Sequence, residues 1–171
     1  MSLVFLIGMP GSGKSHWAKL WAQAFNWQWQ DTDHLIEGRE GKIHDIFAHH
    51  GEPFFREKEQ EVLTALIADP ANSTIIATGG GLPFYHHNLA MMKTAGCVVY
   101  LQATAEELFT QLQADPIKRP LLQRGDLQEE ITALLQTRTP VYTQAHLTLA
   151  AKSLTPATFA EIISVCTNRH L

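Results

Sequence analysis

The run Gly8-Met9-Pro10-Gly11-Ser12-Gly13-Lys14-Ser15 constrains this chain more than any other. It fits G-x-x-x-x-G-K-[ST], with Gly8, Gly13, Lys14 and Ser15 at the restricted positions. A chance match somewhere in 171 residues has a probability of about one in a hundred or less. The flanks agree with it. Leu3-Val4-Phe5-Leu6-Ile7 reads as a short buried strand, and Ser15 to Phe25 places Trp17, Leu20, Trp21, Ala24 and Phe25 on one helical face. A strand, a glycine loop and a helix in that order form the context in which this motif cradles phosphate.

The glycines let successive backbone N–H groups turn inward around an anion, and the following helix offers its positive N-terminus. Gly11, Ser12 and Gly13 are expected to line the phosphates. Lys14 is expected to reach the β- and γ-phosphates, and the Ser15 hydroxyl to ligate Mg²⁺. His16 follows directly and is expected to touch the nucleotide.

Strand-like and helical patterns then alternate to the end. Strands are expected at Trp27–Asp31, Ser73–Thr78, Cys97–Ala103 and Leu147–Ala151. Helices are expected at His44–His50, Pro53–Asp69, Tyr85–Ala95, Ala105–Gln113, Leu127–Thr139 and Pro156–Asn168. This alternation implies an α/β fold, a parallel sheet covered on both faces with ligands beyond the carboxyl ends of its strands. No linker or repeat divides the chain, so one domain over 1–171 is expected. The stretch 114–126, with two prolines, a glycine and three basic residues, has the length and chemistry of a lid.

A net charge of −4 argues against a nucleic-acid partner. The first apolar run is five residues long and lacks a preceding basic segment, so neither a signal peptide nor a membrane span is expected. With only Cys97 and Cys166, no disulfide framework is expected, and the cytoplasm is the simplest compartment. A monomer is expected. The nine histidines show no zinc-ligand spacing and read as surface or capping residues.

A phosphotransferase needs a phosphate cradle, a metal site, a cation at the γ-phosphate and a group that orients the acceptor hydroxyl. Many phosphate-loop proteins take a metal carboxylate from a second apolar strand. Here that strand, Ile75-Ile76-Ala77-Thr78, ends in Gly79-Gly80-Gly81. Asp31 and Asp33 are the acidic candidates. Asp31 would hold a Mg²⁺ water and Asp33 would face the acceptor hydroxyl, with an N-cap role open to either. Three glycines in a row suggest a ligand lying against backbone. Arg56, with Glu59 three residues on, and Arg138 would suit a carboxylate substrate if the fold unites them.

On these residues the chain resembles the shikimate kinase family over essentially its whole length. Gly8–Ser15 resembles its phosphate loop, Asp31-Thr32-Asp33 its D-x-D segment, and Phe54-Phe55-Arg56-Glu57-Lys58-Glu59 its F-R-x-x-E segment. Thr78-Gly79-Gly80-Gly81 resembles its glycine-rich strand end, Lys118-Arg119-Pro120-Leu121-Leu122 its lid, and Arg138-Thr139-Pro140-Val141-Tyr142 its late R-x-P-x-Y segment. The resemblance implies a three-layer fold around five parallel strands, with substrate-binding helices near 34–69 and a mobile lid. It implies transfer of the ATP γ-phosphate to the 3-hydroxyl of shikimate with Mg²⁺. Lys14 and Arg119 would neutralise the transferring phosphate, and Arg119 would also contact ATP. Asp33 would orient or deprotonate the hydroxyl. Arg56, Arg138 and the backbone at Gly79, Gly80 and Gly81 would hold shikimate, with Phe47 and Phe55 as walls.

The chain departs from that pattern twice. His16 stands where the family usually has Thr, and Gln111 and Gln113 stand where some members carry an adenine-stacking Arg. The rival readings are a gluconate-type or other small-molecule kinase of this fold, and a catalytically silent nucleotide-binding relative.

Overall fold

A computed structural model describes residues 2–69, 73–114 and 126–167. Its strands are β1 (Leu3–Ile7), β2 (Gln28–Asp31), β3 (Thr74–Ala77), β4 (Cys97–Gln102) and β5 (Leu147–Ala150). They form one sheet in the order β2-β3-β1-β4-β5, and every neighbouring pair is parallel. β1 and β3 are buried throughout, as their unbroken apolar runs require of strands covered on both faces. β2 and β5 lie at the edges and are only partly buried, which explains the polar alternation of Gln28-Trp29-Gln30.

The helices are α1 (Lys14–Phe25), α2 (Thr32–Glu40), α3 (Ile43–Ala68), α4 (Asn88–Ala95), α5 (Ala105–Ala114), α6 (Leu127–Tyr142) and α7 (Thr158–Thr167). On one face of the sheet Phe5, Ile7, Val98 and Tyr100 pack with Leu63, Ile131 and Tyr142. On the other, Val4, Leu6, Val99 and Leu101 pack with Trp21 and Phe159. α1 buries Ala18, Trp21 and Ala22, while Ala24, expected on its inner face, is exposed. A smaller cluster, Ile36, Ile46, Phe55 and Val62, joins α2 to α3. Each large apolar side chain removed from water in these clusters contributes about 1.5–3 kcal/mol.

The helices expected at 44–50 and 53–69 meet at Gly51, whose φ of 78° is non-helical and divides α3 into two. That left-handed conformation suits a residue without Cβ. Pro53 then falls in the first turn beyond the kink, where a missing N–H costs little. The helix expected from Tyr85 starts at Asn88, because a 3₁₀ turn (Leu82–Phe84) and two left-handed residues, His86 and His87, come first.

The expectation against a disulfide is also corrected. Cys97, at the start of β4, is bonded to Cys166 on α7, with Cα atoms 5.7 Å apart. α7 returns across the sheet face that holds Val99 and Leu101, and Phe159 stacks on Trp21 of α1. A separation of 69 residues concealed this pairing. No described helix is long and apolar enough to cross a membrane.

Candidate active site

The phosphate loop leaves the carboxyl end of β1. Gly8, Gly11 and Gly13 take φ values of 143°, 84° and 87°, which L side chains rarely adopt. At Gly8 space is limiting as well, because an added Cβ would meet the Leu101 carbonyl oxygen at 2.6 Å. Lys14 is buried, and its Nζ donates to the carbonyls of Gly8 (3.0 Å) and Met9 (2.8 Å). The Ser12 hydroxyl is buried with no hydrogen-bond partner among the described residues. A buried orphan hydroxyl just before the N-terminus of α1 fits an anion seat.

Ser15 Oγ donates to Asp31 Oδ2, although 16 residues and an intervening strand separate the two. The parallel register carries the end of β2 to the level of the loop. Asp31 Oδ1 also caps α2, accepting from the backbone N–H of Asp33 (3.0 Å) and His34 (3.2 Å). Capping and hydroxyl contact therefore coexist in one carboxylate, one oxygen for each. A hydroxyl and a carboxylate held together suit a hard divalent cation that keeps several waters.

The triple glycine is where the remaining site residues meet. A Cβ added at Gly79 would lie 2.6 Å from Asp33 Oδ1 and 2.7 Å from Glu59 Oε1. One added at Gly80 would lie 2.9 Å from Pro10 Cδ and 3.3 Å from Arg138 Nη1, and one at Gly81 would collide with the Arg56 guanidinium. None of the three has positive φ, so space rather than conformation demands glycine here. The run makes room for the protein's own charged side chains to lie on the strand end. Thr32 Oγ1 accepts from the Gly79 N–H (2.8 Å), and Tyr142 Oη donates to the Gly80 carbonyl (2.6 Å), so the segment is anchored from two helices.

Arg56 is 4% exposed and Glu59 1%. Arg56 Nη1 donates to Glu59 Oε2 at 2.7 Å, the local pair expected from the spacing. Burial pushes the Glu59 carboxyl up to about 7; Arg56 pulls it down, and the nearby charge of Asp33 pushes it further up. Burial likewise raises Tyr142 to about 12, against the influence of Arg138. Glu59 Oε1 is buried without a hydrogen-bond partner among the described residues.

Lys14, Ser15, Asp31, Asp33, Arg56, Glu59, Gly79, Gly80, Gly81 and Arg138 all line one cavity of about 950 Å³, with Phe47 and Phe55 on its wall. Arg56 and Arg138, unrelated in sequence, are thus brought together. A second cavity of about 600 Å³ lies along the loop, lined by Ser12, His16, Trp17, Glu106, Glu107, Thr110 and Lys152. Gly11, Gly13, His16 and Gln111 line both cavities, whereas Gln113 lines neither. Arg119 and residues 115–125 of the expected lid lie outside the described residues. Sequence reasoning missed Glu52 and Tyr85. Glu52 is four residues before Arg56 and was legible as a helical pair, whereas Tyr85 carried no signal.

Comparison with known proteins bears on this geometry directly. The family model described as shikimate kinase matches residues 10–167. The chain belongs to the shikimate kinase family. It is 37% identical to the shikimate kinase of a Sulfurihydrogenibium species over 164 residues, which cover 95% of this chain and 96% of the relative. The shikimate kinase of Parasynechococcus marenigrum is 36% identical, over 92% of this chain and 82% of its own. Among solved structures, shikimate kinase from Bacteroides thetaiotaomicron superposes with TM-score 0.87 at 30% identity, covering 95% and 98% of the two chains. The Acinetobacter baumannii enzyme in complex with shikimate gives 0.86 at 32%, covering 95% and 90%. A sugar kinase from a Janibacter species, at 17% identity and TM-score 0.61, shares the fold alone.

Proposed function

We propose that this member of the shikimate kinase family transfers the γ-phosphoryl group of ATP to the 3-hydroxyl of shikimate. The observation that carries the proposal is the shared wall of the larger cavity. Phosphate-loop residues Lys14 and Ser15 face the same space as two buried arginines and a carboxylate on the triple glycine. A carboxylated alcohol suits that space: its carboxylate pairs with Arg56 and Arg138, and its hydroxyl faces Asp33.

In this reading the acceptor oxygen attacks the γ-phosphorus and the bond to the β–γ bridging oxygen breaks. The hydroxyl proton passes to Asp33. Lys14 offsets charge on the transferring group. Ser15 and, through water, Asp31 would hold Mg²⁺, which when bound supplies charge neutralisation on the phosphate oxygens. Gly11, Ser12, Gly13 and His16 would hold the nucleotide. The proposed contribution of Arg119 to ATP and to the transferring phosphate rests on the resemblance of its segment. The enzyme is proposed to act as a monomer on small-molecule substrates alone, in a cytoplasm that would hold the Cys97–Cys166 pair reduced.

A coupled ADP-release assay with shikimate, quinate and gluconate at fixed ATP and Mg²⁺ tests the proposal. ADP release should require shikimate. Equal, slow turnover with all three would refute it. Within the site, Asp33→Asn should depress kcat about a hundredfold or more while leaving ATP binding nearly unchanged.

A further inference from the structure

Arg56 is held from two sides, and only one of them faces the larger cavity. Toward the cavity it meets Glu59 and Gly81. On its other side its Nε and Nη2 both donate to a single oxygen of Glu52, at 3.1 and 2.7 Å. Tyr85 Oη donates to that same oxygen at 3.0 Å, and the Tyr85 ring centroid is 4.3 Å from the Arg56 Cζ. Neither Glu52 nor Tyr85 lines the cavity.

The backbone delivers both residues by unusual means. Glu52 directly follows the left-handed Gly51 at the α3 kink. Tyr85 directly precedes His86 and His87, with φ of 51° and 60°, two consecutive non-glycine residues in the left-handed region. Each left-handed non-glycine residue costs about 1 kcal/mol or more, and such strain persists only where the surroundings hold it. Here the local geometry brings a phenol onto a buried guanidinium.

We propose that Glu52 and Tyr85 clamp Arg56 from outside the cavity, making Glu52 a positioning residue for recognition of the acceptor's carboxylate. The inference rests on the reading of Arg56 as a partner of that carboxylate. Of the five N–H donors of arginine, the clamp takes Nε and one on Nη2, and Glu59 takes one on Nη1. These bonds fix the plane and rotation of the guanidinium, whose remaining terminal N–H donors form the fork that a carboxylate meets.

Glu52 also brings a negative charge near an anionic substrate, which opposes binding. Its side chain is 35% exposed, so water screens that charge, while its grip on a 4% exposed guanidinium is geometric. Positioning therefore outweighs repulsion.

Steady-state kinetics on Glu52→Ala, Glu52→Gln, Tyr85→Phe and, as a reference, Arg56→Ala test the clamp. Glu52→Ala should raise shikimate KM about three- to tenfold, the cost of ordering a freed side chain on binding. Its kcat and ATP KM should stay within about twofold. The preference for shikimate over its methyl ester should fall by the same factor, because only the acid uses the fork. Glu52→Gln retains the acceptor oxygen and should stay close to wild type. Tyr85→Phe should fall between wild type and Glu52→Ala, and it serves as the test if Glu52→Ala does not fold. An unchanged or lower shikimate KM in Glu52→Ala overturns the clamp, as does equal loss toward acid and ester. If Arg56→Ala itself leaves shikimate KM unchanged, the reading of Arg56 falls. If only Arg56→Ala raises it, the clamp alone falls.

Discussion

Gly79→Ala is a severe test of the site because its consequences can be worked out atom by atom. The new methyl would sit 2.6 Å from Asp33 Oδ1 and 2.7 Å from Glu59 Oε1. A carbon and an oxygen in contact lie about 3.3 Å apart or more, so each carboxylate must retreat by roughly 0.6 Å. Glu59 has little freedom to do so, being 1% exposed and bound to Arg56. Asp33, in the first turn of α2, takes most of the displacement. Overpacking of this kind costs about 1–3 kcal/mol, which for a chain of this length lowers Tm by roughly 2–10 °C. A misplacement of about 1 Å costs about a hundredfold in rate, so roughly half of that should lower kcat about tenfold. Gly38→Ala is the control. Gly38 lies exposed inside α2, and its added Cβ would meet nothing within 4 Å. Alanine in a helix interior stabilises by about 0.5–1 kcal/mol, so Tm should rise by roughly 1–4 °C with kcat unchanged. Thermal melts and the coupled assay, run on both variants, give the comparison. A Gly79→Ala enzyme with wild-type kcat and Tm would show that the two carboxylates do not rest on this glycine.

Three further outcomes follow from the same contacts. The Glu59 carboxyl, raised by burial to about 7 from an ordinary 4.5, binds its proton more tightly in the folded chain than in the unfolded one. The stability this gives is present below about pH 4.5 and is lost as pH rises to about 7. In denaturant melts, Glu59→Gln should therefore gain on wild type between about pH 5 and 7, and a pH-independent difference would contradict the assignment. Reduction of the Cys97–Cys166 bond, or Cys166→Ser, releases a closure over a separation of 69 residues and should cost up to about 4 kcal/mol. An unchanged Tm with and without reductant would mean the bond contributes nothing. Asp31→Asn removes charge from the carboxylate that meets Ser15 and caps α2, so the Mg²⁺ concentration for half-maximal rate should rise. Unaltered Mg²⁺ dependence would leave Asp31 as a cap only.

What was legible in the sequence lies mostly within one turn or one loop. The phosphate loop is contiguous, and Arg56 and Glu59 are three residues apart on one helix, so elementary spacing rules reach them. The parallel sheet followed from the alternation of elements, but its order did not. Inserting β3 between β1 and β2 leaves no local trace, although it determines how Asp31 comes level with Ser15. The disulfide and the approach of Arg138 to Arg56 are equally non-local, and chain spacing alone carries neither. The glycines at 79–81 show a different difficulty. Their number signalled close approach, and the expected visitor was a ligand. The space that three side chains would fill is already occupied by Asp33, Glu59, Arg138 and Arg56. Substrate would therefore meet charged groups whose positions the backbone has already set, and much of the ordering cost of recognition would be met on folding. Glu52 and Tyr85 extend that logic outward by one layer. Glu52 lies at helical spacing from Arg56, but Tyr85 escapes a pattern search because two left-handed histidines, rather than any motif, bring it there.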